Sequence, residues 1–184
     1  MPWSKTDFEG VWVFEPQVFA DSRGYFFESF NASKLEGTNI ANAFVQDNEA
    51  KSSRGVLRGL HYQIGANAQS KLVRVVTGEV LDVIVDIRPG SKTYGKHFSI
   101  LLNEENKKQL FVPKGFAHGY LVLRDDTIFA YKCDAYYDKA NEGGIKYDDP
   151  SLGIDWLLEK EALMLSEKDM ELPLLDNHKP FKIN

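Results

Sequence analysis

The chain reads as an all-β protein, an antiparallel sandwich or barrel with a few short peripheral helices. Three observations carry that expectation. β-Branched residues gather in short runs, the densest being K-L-V-R-V-V-T-G-E-V-L-D-V-I-V-D-I-R from Lys71 to Arg88. Gly, Pro, Asn and Asp separate the runs at near-regular spacing, as in Arg88-Pro89-Gly90-Ser91 and Arg124-Asp125-Asp126. Helical periodicity is thin.

Taken in order, Val11–Phe14 and Gly24–Phe30 are the first predicted strands, and Asn31–Glu36 is a short helix candidate. Gly55 to Gln63, G-V-L-R-G-L-H-Y-Q, is strand-like. Alternation places Leu57, Gly59, His61 and Gln63 on one face, with Leu60 and Tyr62 on the other. Arg58 has the wrong parity to join His61, and a bulge at Gly59 would re-aim it. Lys71 to Arg88 holds two runs about Thr77-Gly78, which marks a hairpin or a tight bend. In the second run Leu81, Val83, Val85 and Ile87 share one face, and Asp82, Ile84, Asp86 and Arg88 the other. Strands His97–Leu102, Gln109–Val112, Gly119–Leu123 and Thr127–Ala135 follow. The tail around Leu157–Met170 is the second helix candidate, with Trp156, Leu157, Leu158, Leu163 and Leu165 available to pack on the body. No repeat, low-complexity tract or linker interrupts the chain, so one domain over residues 1–184 is expected.

Composition narrows the function. With 184 residues, 43% hydrophobic and 27% charged, the chain can bury a sizeable core. A net charge of -5 argues against a general nucleic-acid binder, though not against one anion-binding pocket. Cys133 is the single cysteine, which rules out an internal disulfide and suits a reducing compartment. The N-terminal M-P-W-S-K-T-D-F-E-G has no apolar core of a signal peptide, and no apolar run approaches the roughly 18 residues of a membrane span. A cytoplasmic protein is expected.

His61 is the first candidate for chemistry, although a lone histidine in a strand also suits a hydrogen-bonded core. A second segment, F-V-P-K-G-F-A-H-G from Phe111 to Gly119, contains P-x-G-x-x-H ending at His118. Together with Gly55-x5-His61-x-Gln63, it resembles the paired motifs of the cupin family, which implies a jelly-roll β-barrel. Metal-binding cupins carry a second His and a Glu where this chain has Gln63 and Lys71. An ammonium beside a divalent ion costs roughly 4 kcal/mol per unit charge at 4 Å and an effective dielectric near 20. A pocket that keeps its histidine and lysine without a metal or other cofactor suits proton transfer at a carbon acid. The histidine then serves as base and the lysine steadies a developing oxyanion.

Longer strings sharpen the resemblance. D-S-R-G-Y-F-F-E-S-F (Asp21 to Phe30), Q-D-N-E-A-K-S-S-R-G-V-L-R-G-L-H-Y-Q (Gln46 to Gln63), Q-S-K-L-V-R-V (Gln69 to Val75), V-P-K-G-F-A-H-G (Val112 to Gly119) and Y-K-C-D-A-Y-Y (Tyr131 to Tyr137) occur in that order. They closely resemble the dTDP-4-dehydrorhamnose 3,5-epimerase family. The resemblance implies inversion of C3 and C5 of dTDP-4-dehydro-6-deoxy-D-glucose, both carbons lying beside the C4 ketone, to give dTDP-4-dehydro-L-rhamnose. It implies His61 as base, Tyr131 as acid on the opposite ring face, Lys71 at the enolate oxygen and Asp169 as partner of His61. Asp169 also closes S-E-K-D, a capping-box pattern at a helix start. By the same resemblance Arg23 and Arg58 meet the diphosphate, and Glu28, Gln46, Asp47, Asn48, His118, Glu142 and Lys168 surround the nucleotide sugar. Asp47 would act through its backbone. Tyr136 and Tyr137 are candidates for the pocket wall. A homodimer is implied, with each N-terminal segment reaching the neighbour's pocket. Three alternatives stay open at this point: an epimerase acting at C3 or C5 alone, a metal-dependent cupin enzyme, and a non-catalytic sugar-binding module.

Overall fold

The computed structural model describes residues 2–35, 38, 40 and 43–182. Two antiparallel sheets face each other as a jelly-roll barrel. We number the strands in chain order: β1 Trp3–Lys5, β2 Trp12–Phe14, β3 Phe19–Asp21, β4 Gly24–Phe26, β5 Gln46–Ser52, β6 Leu57–Gln63, β7 Lys71–Thr77, β8 Glu79–Asp86, β9 His97–Asn103, β10 Gln109–Val112, β11 Phe116–Val122, β12 Thr127–Cys133 and β13 Glu142–Gly144. One sheet runs β1-β2-β10-β7-β12-β5 and the other β13-β6-β11-β8-β9, while β3 and β4 form a separate hairpin.

Alternation decides which side chains meet. Along β7 and β12, Val73, Val75 and Phe129 point between the sheets and join Ile84, Leu110, Val112, Phe116, Tyr120 and Val122 in the inner core. Along β8, Leu81, Val83 and Val85 point away from it. That outer face is covered by Tyr147, Leu152, Trp156, Leu175 and Phe181 of the tail, with Leu158, Leu163 and Leu165 packed against them. Each fully buried Val, Leu or Phe contributes roughly 1.5–3 kcal/mol of transfer free energy, so the tail is an integral wall of the fold.

Thr77-Gly78 is a bend rather than a hairpin. β7 pairs with β10 and β12 in one sheet, whereas β8 pairs with β11 and β9 in the other. The chain changes sheets at Gly78, where φ is +82° and an added Cβ would lie 2.2 Å from Thr127 Oγ1, so a side chain there meets both a strained backbone and a clash.

Helix is scarcer than the sequence suggests. Asn31–Glu36 reduces to a 3-10 turn at Ala32–Leu35, with Glu36 outside the described residues. The tail candidate Leu157–Met170 is no continuous helix; it holds a 3-10 turn at Lys160–Ala162 and one α-helical turn, α1, at Glu167–Met170. Its leucines are spaced for contact with β6 and β8, and packing outweighs helix propensity, which is a weak prior over so short a run. Leu157 itself is exposed with φ +61°. The strand expected at Gly24–Phe30 stops at Phe26, and β1, β3, β5 and β13 are additional strands. Among the described residues no helix is long and apolar enough to cross a membrane.

Candidate active site

β6 and β11 place the two histidines side by side, with His118 opposite His61 in the register. Three residues of β11, from His118 to Tyr120, span four of β6, from His61 to Arg58. This is the bulge expected at Gly59. The Gly59 φ is +121°, and a Cβ would sit 2.6 Å from Gly119 Cα and 2.8 Å from the His118 carbonyl oxygen, so only glycine fits. The bulge corrects the simple parity. Leu57 joins Leu60 and Tyr62 in the outer core, and Arg58 turns into the same cavity as His61 and Gln63.

That cavity is about 720 Å³ and opens between the sheets. A larger cleft of about 1290 Å³ lies away from it, between the N-terminal hairpin and the body, and contains none of the histidines. The five-stranded sheet and its flanks supply His61, Arg58, Gln63, His118 and Glu142; the six-stranded sheet supplies Gln46, Asn48, Lys71, Tyr131 and Cys133.

His61 Nε2 lies 2.8 Å from Asp169 Oδ1. Asp169 sits in α1; its N–H is capped by Ser166 Oγ at 3.1 Å while its carboxylate faces His61. Burial pushes the Asp169 carboxyl up, but the hydrogen bond and charge of His61, the Gly59 N–H and the Ser166 hydroxyl outweigh it and hold the carboxyl below its usual range. The other ring nitrogen, Nδ1, is buried and makes no hydrogen bond. Glu142 Oε1 is 3.6 Å from it, close enough for electrostatic attraction and too far for a hydrogen bond. Glu142 is itself held by Lys168 Nζ at 2.7 Å and the Tyr137 hydroxyl at 3.0 Å. Against burial, these partners and His61 keep its carboxyl low.

His118 Nε2 meets both oxygens of Asp82, at 2.9 and 3.1 Å, and the Asp82 side chain is fully buried. Asp82 is the site residue that the motifs did not single out. Its signal was an acidic residue in the middle of a largely apolar strand, since a buried carboxylate needs a partner.

Lys71, at the start of β7, is enclosed by the fold yet keeps part of its surface open to the cavity. Burial lowers its ammonium, partly opposed by Cys133, Asp82 and Glu142. Among the described residues its ammonium makes no hydrogen bond or ion pair, and Nζ stands 5.9 Å from the centroid of the Tyr131 ring. Tyr131 stands on β12 beside β7, and burial, aided by Cys133 and opposed by Arg58, raises its phenol, so it holds its proton at neutral pH.

The remaining expected residues divide. Gln46 and Asn48 face inward and bond to each other at 3.0 Å, with Asn48 Nδ2 3.8 Å from Cys133 Sγ. Asp47 faces out and pairs with Lys132 at 2.7 Å, which leaves its backbone nearest the cavity. Lys168 lies at the cavity beside Glu142. Arg23 and Glu28 are absent from this cavity. Arg23 is 87% exposed and forks onto Asp21 across the hairpin turn, while Glu28 pairs with Lys34 and Asn31. Tyr137 lines the cavity and Tyr136 does not. Among the described residues no three His, Cys, Asp or Glu side chains converge as a metal would require.

A family model described as dTDP-4-dehydrorhamnose 3,5-epimerase matches residues 5–177. The chain is 47% identical to the enzyme of that name from Methanothermobacter thermautotrophicus, over 98% of this chain and 94% of the relative. It is 50% identical to the one from Escherichia coli, over 94% and 93%. The crystal structure of a dTDP-6-deoxy-D-glucose-3,5-epimerase from Legionella pneumophila in complex with dTDP-4-keto-L-rhamnose superimposes with a TM-score of 0.91 at 47% identity, covering 95% of this chain and 93% of that one.

Proposed function

The chain belongs to the dTDP-4-dehydrorhamnose 3,5-epimerase family, and on that footing we propose that it is an isomerase that inverts C3 and C5 of dTDP-4-dehydro-6-deoxy-D-glucose without a metal, giving dTDP-4-dehydro-L-rhamnose. The observation that carries the mechanism is the opposition across one cavity. A carboxylate-backed imidazole from one sheet faces a proton-holding phenol and an unpaired ammonium from the other.

In this reading Asp169 accepts the Nε2 proton of His61, so Nδ1 carries the lone pair. The His61 ring removes the hydrogen from a carbon beside the C4 ketone, and the electron pair of the C–H bond moves to the C4 oxygen as an enolate. The Asp169 and Glu142 carboxylates lie beside the ring that takes up the proton. Lys71, a cation without an anion of its own, donates to the enolate oxygen, and a buried unpaired ammonium is itself an argument for an anionic partner. Tyr131 returns a proton from the opposite face and inverts the centre. Repetition at the second carbon completes the reaction. His118, fixed by Asp82, supplies another ring nitrogen beside His61. Arg58 and Lys168 suit the diphosphate as cations, and Gln46, Asn48 and Glu142 the polar edges of the nucleotide sugar.

Arg23 and Glu28 have a place in this reading only if a second copy is present. Their hairpin exposes Phe19, Tyr25 and Phe26 at 55%, 59% and 66%, an apolar patch of the kind that marks an interface. We therefore assign a homodimer in which each hairpin reaches the other copy's cavity. The low cysteine count fits a cytoplasmic setting.

The test is incubation with dTDP-4-dehydro-6-deoxy-D-glucose in deuterated water. Deuterium at both C3 and C5 is expected. Label at one carbon would make the enzyme a single-position epimerase, and none would remove the proton-transfer reading.

A further inference from the structure

β12 ends at Cys133, and the chain from Asp134 to Asn141 leaves the sheet before β13 begins. Backbone groups that leave a ladder need other partners. Side-chain amides supply them on four consecutive residues. Gln69 Nε2 donates to the Ala135 carbonyl at 2.7 Å, and Asn67 Nδ2 donates to the Tyr136 carbonyl at 3.3 Å. Gln46 Oε1 accepts from the Tyr137 N–H at 3.3 Å, and Gln63 Oε1 accepts from the Asp138 N–H at 3.1 Å. These amides come from β5, from β6 and from the connection between β6 and β7, so three separate elements converge on one short segment.

The segment presents Tyr137. Its ring is 53% exposed, lines the cavity, and directs its hydroxyl to Glu142, which faces His61. Little apolar burial holds the segment, since Tyr136 and Tyr137 are both exposed. Hydrogen bonds to its backbone are therefore what give it one conformation.

We infer that Gln63, Asn67 and Gln69, together with Gln46, form an amide clamp that positions Tyr137 as a wall of the nucleotide-sugar site. Gln63, Asn67 and Gln69 are positioning residues that act through Tyr137. The inference rests on the cavity binding a dTDP-linked sugar. It also gives Gln63 a task. The residue stands where a metal-binding cupin has its second histidine, and here a neutral amide, 4% exposed, serves a loop backbone. A wall held rigid before binding spares the substrate the entropy of ordering it.

The test is a double-mutant cycle read by calorimetric titration with dTDP and by steady-state kinetics. Gln63→Leu and Gln69→Leu should each weaken dTDP binding about three- to tenfold, the range of one lost hydrogen bond. KM should rise by a similar factor, with a smaller change in kcat. Tyr137→Ala should weaken binding by itself, and adding either Gln variant to it should cost nothing further. Should Gln63→Leu fail to fold, Asn67→Ala and Gln69→Ala, both in the surface connection, carry the same cycle. Single variants that bind dTDP as tightly as the unaltered protein would overturn the clamp, as would losses that simply add to that of Tyr137→Ala. An unaltered protein that does not bind dTDP would overturn the clamp and the functional reading together, an outcome distinct from either.

Discussion

Replacing Asp169 with asparagine removes one negative charge and keeps the shape of the side chain. The helix start survives, because Ser166 Oγ caps the backbone N–H of residue 169, which the change leaves in place. What is lost is the carboxylate 2.8 Å from His61 Nε2. Two estimates bracket the effect on an imidazolium. Coulomb's law gives roughly 4 kcal/mol for charge centres near 4 Å at an effective dielectric of about 20. Exchanging a charged for a neutral hydrogen bond costs roughly 1–2 kcal/mol. The Asp169 side chain is only 7% exposed, so screening is weak and a value between the two, about 2–3 kcal/mol, is expected. At 1.36 kcal/mol per tenfold this is a fall of roughly 30- to 150-fold in the rate of proton removal. The asparagine can also turn its amide N–H toward Nε2, which would put the ring proton on Nδ1 and deepen the loss. The assay is the initial rate of deuterium uptake at C3 and C5 under saturating substrate, beside a thermal melt. A well-folded variant that exchanges at the rate of the unaltered protein would refute the pairing as the source of basicity.

Tyr131→Phe should keep deuterium exchange at the carbon that reacts first while product formation falls by about 10²–10⁴, the usual weight of one general acid; equal loss of both in NMR time courses would remove the acid assignment. Lys71→Met should lower kcat by about 10²–10³ yet leave the melting temperature unchanged or higher, because burial already works against the ammonium; a melt that collapses instead would make Lys71 structural. Asp86 is fully buried and bonded by Arg88, Ser91 and Thr93, which overcome the effect of burial and hold its carboxyl below the usual range. A depressed carboxyl contributes stability that is present above its unfolded value near 3.9 and fades as pH falls through the folded value. Asp86→Asn should therefore cost about 3–5 kcal/mol in urea unfolding at pH 7, with the gap narrowing below about pH 4; a pH-independent gap would contradict this account.

The strands with clean alternation were legible from the chain alone. Gln109–Val112 matches at both ends, and Leu81, Val83 and Val85 separate from Asp82 and Ile84 as parity requires. The strands that were missed carry no such pattern. β5, Q-D-N-E-A-K-S, is almost wholly polar, because it is an edge strand paired only with β12 and its inward face lines a wet cavity. The tail looked helical from its leucines, but those leucines answer to the groove they fill. His61, Lys71, Tyr131 and Asp169 could be named in advance through resemblance, and their convergence on one cavity could not.

Local periodicity is a property of neighbours along the chain, so residue order alone was enough to set most of the strands, a reversal or bend at Gly78, the glycine that a bulge would need, and the inventory of bases and cations. Which sheet each strand joins depends on hydrogen bonds between segments far apart in the chain, and so does everything built across the gap between sheets. Packing of β6 against β11 moved Leu57 and Arg58 to opposite sides. It also set Asp82 against His118, brought the His61 imidazole and the Tyr131 phenol to one cavity, and tied residues 135–138 to amides from three other elements. No stretch of residues read by itself contains those distances, because they exist only once the sheets have closed.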